Sequence, residues 1–158
     1  MINRIQIEIT PVWSLIPEVK EKIRNIMSGM NSNKIDFTMI VVSELLENAI
    51  KYGEMNTRIA NISIIFELDQ QMVLMSIKNG IGEYQNLDSF LNTMSKIKTT
   101  VNKKSLYLER LQEIMRDPSL PGSKLGLYRI VSESEFDLDF HIDEYGLEML
   151  ATKKFWEI

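Results

Sequence analysis

The chain has 158 residues, 44% of them hydrophobic and 25% charged, with a formal net charge of −4 and no cysteine. That size and balance suit one domain, residues 1–158, around a single core. Disulfides, thiolate nucleophiles and cysteine-held zinc are excluded, and the negative charge argues against a nucleic-acid partner.

Residues 1–10 alternate apolar and polar through Ile5, Ile7 and Ile9 and predict a strand closed by Pro11. Over residues 13–30, Leu15, Ile16, Val19, Ile23 and Ile26 recur at helical spacing, and Gly29 ends the helix. Asn31-Ser32-Asn33 reads as a loop, with Asp36 capping a second helix that runs to Gly53. Two β-rich runs follow, 58–69 and 71–79, joined as a hairpin at Asp69-Gln70-Gln71. Asn79-Gly80-Ile81-Gly82 is then a glycine-bearing loop.

Residues 83–122 are too many for a plain connection. Within them, 87–97 and 104–115 have helical spacing, which predicts a helical insertion that covers a pocket or else packs as a structural pair. Asp117-Pro118 and Pro121-Gly122 break that helix. A short helix over 124–132 precedes a hairpin, 137–143 with 147–156, turned at Glu144-Tyr145-Gly146. The order predicts an α+β fold: a mainly antiparallel sheet with helices on one face. No apolar run reaches the roughly 20 residues of a membrane span, and no basic-then-apolar leader opens the chain, so a cytoplasmic protein is expected.

Within the second helix, Glu44 and Asn48 stand four residues apart and so share one face among apolar neighbours. A carboxylate and an amide on such a face suit a metal–nucleotide site, with the amide oxygen on magnesium and the carboxylate polarising a hydroxyl. The plain alternative is a solvated face on which Glu47 and Lys51 pair along the helix. The lone histidine, His141, lies in a strand without evident partners. The ten methionines read as core fill, and Trp13 and Trp156 as core or edge packing. Lys96, Lys98, Lys103 and Lys104 form a basic patch, and Glu133, Glu135, Asp137 and Asp139 an acidic one; both read as solvated.

Three segments fall in order: Glu44-x-x-x-Asn48, Asn79-Gly80-Ile81-Gly82 and Gly122-Ser123-Lys124-Leu125-Gly126-Leu127. Together they resemble the GHKL ATPase superfamily, which includes gyrase and the catalytic domains of histidine kinases. The run through Ala49-Ile50-Lys51-Tyr52-Gly53 is most similar to the anti-sigma-factor serine kinases. The inserted helices and the Leu125-Gly126-Leu127 run resemble the SiaB-type protein kinases within that branch. The resemblance spans residues 36–156. It implies a two-layer α/β sandwich of the Bergerat type with residues 83–122 as a helical lid, and ATP and Mg²⁺ as cofactors. The activity implied is a Mg-ATP-dependent serine/threonine kinase whose partner is a small bacterial regulatory (antagonist) protein of a sigma-factor pathway. Dimerisation through the sheet is implied as well.

By the same resemblance Asn48 is the magnesium ligand and Glu44 the general base for the acceptor hydroxyl. Asn79, Gly80 and Gly82 lie against adenine and ribose, and Gly122, Leu125 and Gly126 against the phosphates, with Lys124 and Lys51 adding positive charge. The chain departs from the pattern at Lys78, where the superfamily has an aspartate that accepts from the adenine amino group; lysine has no acceptor. Lys124 also replaces a glycine of the third motif. The alternative is therefore a degenerate, non-catalytic module of the same fold that sequesters a partner protein.

Overall fold

A computed structural model describes residues 3–119 and 125–155. Strand β1 (Asn3–Ile9) is followed by a 3-10 turn, Trp13–Leu15, and helices α1 (Ile16–Ile26) and α2 (Ser32–Tyr52). A hairpin of β2 (Ile62–Leu68) and β3 (Met72–Gly80) comes next. Helices α3 (Asp88–Thr99), α4 (Leu106–Arg116) and α5 (Leu125–Ser132) then lead to a second hairpin, β4 (Asp137–Ile142) and β5 (Gly146–Lys154). The five strands are antiparallel in the order β1-β2-β3-β5-β4, which makes the fold α+β.

Both hairpins turn by one device. Asp69 Oδ1 accepts from the backbone N–H of Gln71 (2.7 Å) and Met72 (2.8 Å). Asp143 Oδ1 accepts from those of Tyr145 (2.9 Å) and Gly146 (2.8 Å). Each side chain replaces a turn hydrogen bond, which is why aspartate suits these corners. Alternation along the strands then sends Ile64, Phe66, Val73, Met75, Ile77, Met149 and Ala151 into one core with Val41, Val42, Leu45 and Leu46 of α2. The opposite parity carries polar groups, such as Ser76, whose hydroxyl donates to Glu148 Oε2 at 2.7 Å.

Helix α2 begins at Ser32, so Asp36 lies inside it and does not cap it. The cap is Asn31, whose extended backbone (φ −56°, ψ 135°) lets its side-chain oxygen accept from Asn33 N–H at 2.8 Å. Both residue types cap well; Asn31 stands where the backbone leaves helical geometry. Asn31→Ala is expected to cost about 1 kcal/mol, measured as a lower urea midpoint at unchanged slope.

The basic and acidic patches are not two independent solvated faces. Lys98 meets Asp139 at 2.6 Å, Lys104 meets Glu135 at 3.5 Å and Lys96 meets Glu113 at 3.9 Å. These exposed pairs contribute little each, yet two of them tie the inserted segment to the start of the second hairpin. His141 is exposed on β4. Met27 and Met75 are fully buried, whereas Met115 is exposed on α4. Among the described residues no helix is long and apolar enough to cross a membrane.

Candidate functional site

Helix α2 has two working sides. Leu45, Leu46 and Ala49 face the core, while Glu44, Glu47, Asn48 and Lys51 line a cleft of about 350 Å³ between α2 and α5. Gly126 and Arg129 form the α5 wall. Trp13 also lines it; it is 54% exposed, so its packing is against a cleft and not the core that its residue type suggests. Trp156 lies outside the described residues.

A second cavity of about 100 Å³ adjoins the first and is mainly apolar. Ile77 and Asn79 of β3, Met149 of β5, and Gln85, Leu87 and Phe90 of the inserted segment enclose it. Asn48 and Tyr52 line both cavities, so one helix turn divides a polar compartment from an apolar one. The first volume lies within the range of small-molecule sites and the second below it, and the lining of the pair is mixed polar and apolar.

Glu44 is held from the α5 side. Arg129 Nη1 donates to its Oε1 at 3.4 Å, and Arg129 Nε donates to Glu133 Oε2 at 2.8 Å. A β-carbon at Gly126 would overlap the Glu44 carboxylate, so glycine there gives the carboxylate its place. Burial pushes the Glu44 carboxyl above the ordinary range, and neighbouring Glu47 adds to this; Arg129 partly offsets both. Lys51 makes no ion pair with Glu47 among the described residues; its ammonium lies 5.1 Å from the Tyr52 ring centre.

The structure thus brings Glu44, Asn48, Lys51, Leu125 and Gly126 to the polar cleft, and Asn79 to the apolar cavity beside Asn48. Gly80 and Gly82 line neither: a β-carbon on the first would overlap the Glu54 carbonyl and on the second the Glu54 carboxylate. Gly122 and Lys124 lie outside the described residues. Lys78 has the opposite parity to Ile77 and Asn79 on β3; it reaches Asp143 at 3.4 Å and is not part of either compartment. The inward position belongs to Asn79, whose Nδ2 donates to the Gly80 carbonyl at 2.9 Å, leaving its amide oxygen as an acceptor.

Arg129, Tyr107 and Phe90 were not evident in the sequence as site residues, because each reaches the cleft by tertiary packing. One signal existed for Arg129: it stands three residues after Gly126, on the same helix face. Among the described residues no group of three His, Cys, Asp or Glu side chains is placed to hold a metal. The chain matches no protein-family model and no curated protein.

Proposed function

We propose that the chain is a Mg-ATP-binding protein of the GHKL type, acting as a serine/threonine kinase on a small bacterial regulatory protein. The observation that carries this reading is the divided cleft, in which Asn48 is the shared wall between an apolar and a polar compartment. The donor set fits. Magnesium is usually held by one or two protein carboxylates together with substrate phosphates and water, so it needs no cage of three or more protein ligands. Asn48 offers one hard oxygen, and phosphates bound beside it supply the rest.

Each residue then has a part. Ile77, Met149 and Phe90 enclose the base, and the Asn79 oxygen accepts from its amino group, the contact that Lys78 cannot make. Lys51 offsets phosphate charge. Bound ATP supplies the transferable phosphoryl group. Glu44, whose burial raises its basicity, accepts the proton of the acceptor serine or threonine hydroxyl. The aromatic rings of Trp13 and Tyr107 give the acceptor segment an apolar wall on the same cleft.

Calorimetric titration with ATP and ADP, with and without Mg²⁺, tests this. Binding by the wild type is expected to depend on Mg²⁺, and Asn48→Ala is expected to weaken it by at least about tenfold. Absence of binding at millimolar nucleotide overturns the reading.

A further inference from the structure

The cations of the polar cleft are not placed symmetrically. Among its described lining residues they are Lys51 and Arg129. On α2, Lys51 lies one turn after Asn48 and Glu44 one turn before it, so the two are about 10 Å apart along the axis. Arg129 is therefore the cation at the Glu44 end. Its bonds are unequal. The Nε contact to Glu133 is 2.8 Å, normal for a charged pair, whereas the Nη1 contact to Glu44 is 3.4 Å. The side chain is 39% exposed, so the long bond can be exchanged without unpacking the core. A guanidinium anchored through one edge with its other edge toward a cleft is suited to take phosphate oxygens.

We infer that Arg129 reads the terminal phosphate of a nucleoside triphosphate, and that its ion pair with Glu44 is a free-state lock which that phosphate opens. This rests on the nucleotide reading above. With the base beside Asn79 and the first phosphates beside Asn48, the terminal phosphate lies toward Glu44, where the acceptor hydroxyl must also reach it. In the free protein Arg129 and Gly126 hold the Glu44 carboxylate between them. A terminal phosphate draws the guanidinium away, pivoting on Glu133, and Glu44 is left to accept the hydroxyl proton. A diphosphate lacks the group that opens the lock, so Arg129 stays on Glu44 after transfer.

Titration of the purified chain with Mg-ATP and Mg-ADP tests both halves, using Arg129→Gln, Glu44→Gln and the double variant. The wild type is expected to prefer ATP about tenfold, and Arg129→Gln to erase the preference while leaving ADP affinity unchanged. Glu44→Gln frees Arg129, so it is expected to tighten ATP several-fold with ADP unaffected, and the gain is expected to vanish in the double variant. A preference that survives Arg129→Gln, or an equal loss for both nucleotides, overturns the phosphate-reading role. A Glu44→Gln gain that persists without Arg129 is simple charge removal and overturns the lock. Equal wild-type affinity for ATP and ADP sinks this inference alone, whereas binding of neither sinks the nucleotide reading and this one with it.

Discussion

On the proposed kinase reading, Glu44→Gln is expected to lower phosphoryl transfer by about 10²–10⁴-fold, the usual worth of a positioned general base, without loss of Mg-ATP binding. The substitution keeps the shape that Gly126 accommodates and removes only the basic oxygen. In the wild type the rate should fall as pH drops through the raised Glu44 pKa, while the residual rate of the variant should show no such limb. Stability should move the other way. A carboxyl whose folded pKa lies above its unfolded value stabilises through its protonated form; that contribution is present below the unfolded pKa and lost as pH rises through the folded one. Ionised Glu44 is thus a net cost at neutral pH, set by burial and Glu47 against the partial relief from Arg129. The variant should have the higher urea midpoint at pH 7, and the gap should close toward about pH 4, near the ordinary glutamate value. A wild type more stable than the variant at pH 7 would mean that the Arg129 pair outweighs burial.

Asn56→Ala is expected to destabilise the fold by about 2–4 kcal/mol, because one side chain makes four hydrogen bonds to backbone groups. Its Nδ2 donates to the carbonyls of Ile81 (3.0 Å) and Tyr145 (2.7 Å). Its Oδ1 accepts from the N–H groups of Arg58 and Ile59, both at 2.9 Å. One side chain therefore pins the segment after α2 to the end of β3 and to the turn of the second hairpin. Ile81 N–H also donates to the Tyr145 carbonyl at 3.1 Å, and Glu54 N–H to that of Gly80 at 2.9 Å, so the bonds form a single knot. Alanine leaves the Ile81 carbonyl and two N–H groups in search of water, and the Tyr145 carbonyl with only its bond from Ile81 N–H. Asn56→Asp separates the halves, since it keeps the acceptor and loses the donor. A loss below about 0.5 kcal/mol on urea denaturation of the alanine variant would show that water replaces all four bonds.

The elements were legible wherever burial is one-sided. Ile5, Ile7 and Ile9 marked a strand, and Val19, Ile23 and Ile26 a helix, because each set faces a core with the period of its backbone. The start of α2 was less so: both Asn31 and Asp36 are good caps, and only backbone geometry separates them. Counting back from the glycines put Lys78 at a base-reading position, but parity with Ile77 and Asn79 puts it outside the cleft. Strand alternation was the better guide there. Glu44 and Asn48 could be paired from spacing alone, since both lie on one helix. Arg129 and Asn56 could not: Arg129 meets Glu44 across 85 positions and Asn56 meets Tyr145 across 89, separations at which local pattern carries no information.

The sheet order has a consequence for how this chain folds. β2–β3 and β4–β5 are local hairpins, but the seam between β3 and β5 pairs Gly80 with Gly146 across the whole inserted segment. Closing so long a loop is paid for once, and the entropy grows by only about 0.6 kcal/mol for each doubling of its length. The segment between these strands can thus lengthen or shorten at little thermodynamic expense. Rate is different, because non-local pairing slows folding. Asn79 and Met149, which enclose the apolar cavity from opposite sides of that seam, come together only when it zips.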